Sequence, residues 1–131
     1  MAPELRGEHT VLVANRDEFL REIVVTTLES VGYRVASVPD VAQLGGHIPD
    51  EGPVNCTAII EVDRDESATD LIARVRAKVP RMAVVLLTPQ GLEPGFDGTE
   101  RVELLSKPFQ MNDLVKMVDR ASGLERTGVL S

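Results

Sequence analysis

The sequence predicts a doubly wound α/β domain with a five-stranded parallel sheet, and two patterns lead to this prediction. Five short runs are apolar at almost every position, which is typical of strands buried on both faces of a parallel sheet. Between most of these runs lie segments with apolar residues at three- and four-residue spacing, which is typical of helices packed on a sheet. Short connections between alternating strands and helices imply right-handed crossovers, with helices on both faces.

The strands follow from runs of apolar and β-branched residues that are bounded by turn-forming residues. The second run alternates more than the others and carries Arg34, so we expect it at an edge of the sheet. The predicted strands are Thr10–Ala14, Tyr33–Val38, Thr57–Val62, Met82–Leu87 and Val102–Leu105.

Four helical segments are predicted from the apolar spacing and from helix start and stop residues. They run from Phe19 to Val31 before Gly32, through Val41 and Leu44 to Gly45–Gly46, from Ser67 to Pro80, and from beyond Pro108 to Ala121. The stretch Gly91–Gly98 also contains Pro94 and Gly95 and is a poor helix former. The helix between the fourth and fifth strands should therefore be shortened or irregular.

The length of 131 residues suits one domain, which we place at 1–122, followed by a loose tail at 123–131. A net charge of −7, with both signs interspersed, disfavours binding to nucleic acid or to an anionic membrane surface. The chain shows no apolar run of membrane-spanning length and no signal-peptide pattern, so a cytoplasmic location is expected.

Polar side chains gather where the predicted strands end. In an open α/β sheet of order 2-1-3-4-5, ligands bind beyond the carboxyl ends of the first and third strands. Asn15 and Arg16 follow the first strand, Glu61 and Asp63 end the third, Thr88 ends the fourth, and Lys107 with Pro108 follows the fifth. These residues are therefore expected to form one crevice.

From about Thr10 to Ala121 the sequence resembles the CheY-like receiver domains of two-component response regulators, which have this flavodoxin-like fold. The resemblance is most specific at Ser106-Lys107-Pro108-Phe109 and at Thr88 after an apolar strand. It implies an acid pair that holds Mg²⁺, an aspartate that accepts a phosphoryl group, and a hydroxyl and a lysine that contact that group. In this sequence Asn15 and Arg16 stand at the acid pair and Glu61 at the acceptor, whereas Thr88 and Lys107 match.

These departures predict a degenerate receiver, or pseudoreceiver. Mg²⁺ prefers hard oxygen ligands, and an amide and a guanidinium replace two carboxylates here, so neither a metal nor another cofactor is expected. Phosphoryl transfer depends on that metal, so we expect no phosphorylation and no enzymatic activity. Arg16 and Lys107 are instead expected to neutralise Glu61 directly, so that Glu61 partly mimics a charged acceptor.

Three further expectations concern neighbouring positions. Asp63 is an alternative phosphoacceptor, although its spacing to the other site residues is less favourable than that of Glu61. Leu104 stands where the resemblance implies a switching aromatic residue, which agrees with lost phosphorylation-dependent switching. The Lys107–Pro108 peptide bond is expected to be cis, because that geometry would turn the chain and aim the lysine into the site.

The favoured function is therefore binding of a protein partner, such as a histidine kinase, another regulator or a neighbouring domain, in an oligomeric state that the sequence leaves open. One alternative is a response regulator that accepts a phosphoryl group on Asp63 or Glu61. Another is a receiver variant that binds a nucleotide or second messenger in the same crevice, although neither common glycine-rich phosphate-binding motif is present.

Overall fold

The computed structural model describes residues 6–47, 56–63, 65–79, 82–89 and 101–123. Its core is a five-stranded parallel sheet in the order β2-β1-β3-β4-β5, which confirms the predicted topology. The strands are β1 (Thr10–Ala14), β2 (Arg34–Val38), β3 (Cys56–Glu61), β4 (Ala83–Thr88) and β5 (Val102–Ser106).

The described helices are α1 (Glu18–Ser30), a 3₁₀ helix (Val41–His47), α2 (Ala68–Lys78) and α3 (Met111–Ser122). Side chains cap the starts of α1 and α2: Asp17 accepts N–H groups of the first turn of α1, and Ser67 accepts the N–H of Asp70 in α2. Helix α3 ends at Gly123, whose φ of 81° is the left-handed conformation that glycine adopts without strain.

The short second helix differs from its prediction. The sequence placed its end at Gly45–Gly46, but the 3₁₀ helix continues through both glycines to His47. Glycine makes a helix entropically costly and does not clash with helical geometry, so local packing decides where such a segment stops.

Successive side chains of each strand point to opposite faces of the sheet. Helices cover both faces, so apolar side chains on each face are buried. Leu12 and Ile60 belong to a core cluster with residues of the 3₁₀ helix and α2, such as Leu44 and Leu71. On the opposite face, β1, β3 and β4 pack against α1 and α3 in a second core cluster, whose members include Val11, Val13, Ile59, Val85, Leu28 and Leu114. This three-layer arrangement leaves the ends of the strands as the polar region of the sheet.

Strand β2 lies at one edge, as predicted, and only Val38 of its five residues is buried. Strand β5 forms the other edge, where Leu104 is 40% exposed. The predicted irregular helix at Gly91–Gly98, Pro80 at the end of α2, and the tail after Gly123 lie outside the described residues. No helix in the described part of the chain is both long enough and apolar enough to span a membrane.

Candidate functional site

The carboxyl ends of β1, β3, β4 and β5 bring most of the predicted site residues to one edge of the sheet. The register explains this grouping: Ala14 pairs with Ile60, and Glu61 pairs with Leu87 on the next strand. Because all strands are parallel, residues that follow neighbouring strands lie side by side. Asn15, Glu61 and Lys107 meet there through direct contacts.

The strongest contact of the site is an ion pair between Lys107 and Glu61. Lys107 Nζ lies 2.8 Å from Glu61 Oε2, and the two side chains are 37% and 19% exposed. The carboxylate is thus largely removed from solvent, which weakens the screening of its charge. Lys107, in the loop that follows β5, therefore neutralises Glu61 at the end of β3.

Asn15 provides a second donor to the same carboxylate. Its side chain is buried, and its Nδ2 donates to Glu61 Oε2 at 3.1 Å. Its Oδ1 accepts the backbone N–H of Asp17 at 2.8 Å, which fixes the orientation of the amide. From the sequence we expected Asn15 only as a replaced metal ligand, and its role as a bridge between the start of α1 and Glu61 was missed.

Arg16 does not occupy the position that we expected. It is exposed, and among the described residues no ion pair joins it to Glu61. The amide of Asn15 lies beside Oε2 instead, and an exposed guanidinium keeps the hydration that it would lose in a buried pair. The expected neutralisation of Glu61 therefore involves Lys107 and Asn15.

The remaining predicted residues frame this contact. Thr88 is buried at the end of β4, and its carbonyl accepts the backbone N–H of Lys107 at 2.9 Å. The Lys107–Pro108 peptide bond is cis. Asp63 is exposed beyond the end of β3, where its N–H donates to Glu66 Oε1 at 3.0 Å.

The donor set of the site does not suit Mg²⁺. The side-chain oxygen of Asn15 already accepts a backbone N–H, and Oε2 of Glu61 already accepts two donors. Arg16 contributes a positive charge where an octahedral oxygen shell would need carboxylates. Within the described part of the chain, no group of three or more His, Cys, Asp or Glu residues is placed to hold a metal ion.

A cavity of about 240 Å³ opens beside Glu61. It lies between the ends of β1 and β3, the start of the 3₁₀ helix and helix α2. Asp40 and Arg74 also line it, and neither was predicted as a site residue. The available signal for Asp40 was its position two residues after a predicted strand, where binding residues collect in this type of sheet.

A second polar cluster lies at the opposite end of the sheet. Arg6 donates to both carboxylate oxygens of Asp119, at 2.8 and 3.2 Å, and the buried hydroxyl of Tyr33 donates to Asp119 Oδ1. Burial is the main cause that raises the pKa of Tyr33, and the hydrogen bond to Asp119 raises it further. The same carboxylate raises the pKa of Arg6. This cluster ties the segment before β1 to the last turns of α3.

His9 lies in the same region and is also buried. Its Nε2 lies 2.8 Å from Thr57 Oγ1, which in turn lies 3.0 Å from Ser122 Oγ. Burial lowers the pKa of His9 to about 4, and the positive charges of Arg101 and Arg34 act in the same direction. His9 is therefore neutral near pH 7 and joins β1, β3 and α3.

Comparison with known proteins places this geometry in context. No family model matches the chain. It is 26% identical over 113 residues to the response regulator receiver protein CpdR of Brucella abortus, covering 84% of this chain and 93% of CpdR. It is also 29% identical over 116 residues to the DNA-binding transcriptional regulator NtrC of Azospirillum brasilense, covering 86% of this chain. The chain spans only 24% of the length of that regulator.

Solved structures give the same result for the fold. A response regulator receiver protein from Sinorhizobium medicae superposes with a TM-score of 0.70 at 20% identity, covering 88% of this chain and 94% of that one. The chain has the receiver-domain fold. A response regulator from Thermotoga maritima matches this chain with a TM-score of 0.68 at 19% identity, covering 88% of this chain and 98% of the other.

Proposed function

We propose that this receiver domain does not accept a phosphoryl group and that it acts by binding protein partners. The observation that carries the proposal is the contact of Lys107 Nζ and Asn15 Nδ2 with one carboxylate oxygen of Glu61. Both donors are supplied by the chain itself, so the charge of Glu61 is compensated without a metal ion. We infer that this arrangement holds the site in one state.

The residues around Glu61 oppose phosphoryl transfer to it. That reaction requires the developing charge to be neutralised, usually by Mg²⁺. Lys107 and Asn15 engage Oε2 and leave Oε1 open, but the residues around the carboxylate do not form an oxygen shell for a divalent ion. Catalysis is therefore not part of the proposal.

Partner binding is supported by the surface near the site. Phe19, in the first turn of α1, is 73% exposed, which is unusual for a large aromatic side chain and is typical of a contact residue. The partners that fit the proposal are a histidine kinase, another regulator or a domain of the same protein, all located in the cytoplasm.

The decisive experiment is incubation with Mg²⁺ and a small acyl phosphate, followed by intact-mass measurement. We expect the wild type to gain no phosphoryl group. A matched variant with Asn15→Asp, Arg16→Asp and Glu61→Asp restores the acid pair and the aspartate, and we expect it to show Mg²⁺-dependent modification.

A mass gain in the wild type would contradict the proposal. Its loss in Asp63→Asn would then identify Asp63 as the acceptor, and its loss in Glu61→Gln would identify Glu61. Asp63 is the stronger rival of the two in one respect, because it is exposed and outside the Lys107 contact.

A further inference from the structure

The cavity beside Glu61 combines an apolar floor with carboxylates. Ala14, Ile60 and Leu71 provide apolar surface, while Asp40 and Glu61 provide acids. Its volume of about 240 Å³ is smaller than the roughly 300–1,000 Å³ of pockets that enclose whole ligands. The cavity is thus suited to a single side chain and is too small to enclose a nucleotide.

The charges around the cavity favour a cation. Four carboxylates and two guanidinium groups line it, those of Asp40, Glu61, Asp63, Glu66, Arg16 and Arg74. Three of the acids are partly buried, whereas both arginines are exposed. Lys107 offsets the charge of Glu61, but partly buried charges are less screened than exposed ones, so the carboxylates of Asp40 and Glu66 keep the potential inside the cavity negative.

One acceptor atom beside the cavity lacks a donor and is open to solvent. Among the described residues, both donors to Glu61 bind Oε2, and Oε1 has no hydrogen-bond partner. Oδ1 of Asp40 also has no partner, but it is shielded from solvent, so the side chain has to rotate before this oxygen meets a ligand in the cavity. A ligand that supplies N–H groups here would bond Glu61 Oε1 and, after that rotation, would relieve the cost of the unpaired Asp40 oxygen.

We propose that the cavity accepts an arginine side chain of the partner protein. The methylene stem would lie on Ile60 and Leu71, and the guanidinium would face Glu61 and Asp40. Arginine fits better than lysine because its planar fork presents several N–H groups to two separate carboxylates. The net charge of −7 also attracts a basic partner surface. This inference rests on the proposed function, since it names the chemistry of the partner at that site.

The test uses two probes of nearly identical shape, N-acetyl-arginine amide and its neutral isostere N-acetyl-citrulline amide. In methyl-detected NMR titrations of the wild type, the arginine probe should shift the signals of Ile60 and Leu71 with a Kd on the order of millimolar. The citrulline probe should bind roughly tenfold more weakly or not at all. Equal shifts with both probes, or none with either, would overturn the inference.

Three variants locate the binding. Glu61→Gln and Asp40→Asn should each raise the Kd of the arginine probe roughly tenfold. Glu29→Gln removes the same charge at the other end of α1, on an exposed position, and should leave the Kd unchanged. An equal effect of all three variants would indicate non-specific attraction, and it would contradict the assigned cavity.

A further arm separates a protein partner from a free metabolite. 1-Butylguanidinium carries the same guanidinium and a similar stem without the backbone groups of a residue in a chain, and like the capped arginine it has a single positive charge. Tighter binding of 1-butylguanidinium than of the capped amino acid would overturn the partner assignment. Failure of all these titrations would leave the phosphorylation result intact, because that result depends on the Lys107 contact and not on the cavity.

Discussion

The carboxylate of Glu61 accepts Lys107 Nζ at 2.8 Å and Asn15 Nδ2 at 3.1 Å on the same oxygen. The proximity of Lys107 and Glu61 could be predicted from the sequence, since both stand at the ends of strands that meet at one edge of a parallel sheet. The contact with Asn15 could not be predicted, because it depends on the side-chain orientation fixed by Asp17. The same limit explains why Arg16 was placed too close to Glu61.

Glu61→Gln should lower the free energy of unfolding by roughly 1 kcal/mol, because it removes a partly buried charge pair and keeps an acceptor for Asn15. Urea denaturation near neutral pH measures the change. Glu103→Gln is the matched control, because Glu103 forms a longer pair of 3.9 Å with the exposed Arg120. If Glu103→Gln lowers the free energy of unfolding as much as Glu61→Gln does, the Lys107–Glu61 pair contributes no more to stability than an exposed ion pair.

His9 predicts a pH dependence of stability. Its folded pKa of about 4 lies below the unfolded value of 6.5, so the unfolded chain takes up the proton first as the pH falls. The His9 contribution to stability is therefore present above pH 6.5 and is lost between that pH and about 4. From about pH 7 to about pH 5 the loss should be roughly 2 kcal/mol.

Urea denaturation of the wild type and of His9→Gln at both pH values checks this expectation. The glutamine keeps a polar group near Thr57 and does not titrate, so its pH dependence should be visibly shallower. Parallel curves for the two proteins would mean that His9 is not the source of the acid sensitivity.

Helix α3 is held to the rest of the domain by more than its apolar face. Leu114, Val118 and Ala121 are buried against the sheet, as their spacing predicted. Asp119 adds a polar anchor that the spacing did not reveal, because its partners Arg6 and Tyr33 lie 113 and 86 residues away in sequence. Contacts over such separations depend on the completed fold, whereas the helix itself depends on local spacing.

Asp119→Ala should lower the free energy of unfolding by roughly 3 kcal/mol, because it leaves the guanidinium of Arg6 and the buried hydroxyl of Tyr33 without their acceptor. Arg6→Ala combined with Asp119→Ala should recover part of this loss, and a double-mutant cycle in urea gives the coupling. A coupling energy near zero would show that the ion pair does not anchor α3.

The three layers of the domain were largely predictable from sequence. Strands β1, β3 and β4 are apolar on both faces and lie at the centre of the sheet. Helices cover both faces there, which favours strands with apolar side chains on each face. The helix bounds were less predictable: the 3₁₀ helix continues through Gly45 and Gly46 to His47. The cavity lining was not predictable, because it joins residues from four separate segments.

Two paired residues on the neighbouring strands β4 and β5 test how burial is distributed across the sheet. Leu86 on β4 is fully buried, and Leu104, its partner in register on β5, is 40% exposed. Leu86→Ala should lower the free energy of unfolding by roughly 3 kcal/mol through lost burial and a remaining void. Leu104→Ala should lower it by less than about 1 kcal/mol. Similar losses in both would contradict this difference in packing.

The lysine that neutralises Glu61 is part of the chain itself, so under the proposed function the state of the site is set when the protein is made. A phosphorylated aspartate can be reset by hydrolysis within the lifetime of a protein, whereas a Lys107–Glu61 pair is present from the moment the domain folds. The strength of the signal would then follow the rates of synthesis and degradation of the protein, so its abundance would take the place of a chemical switch.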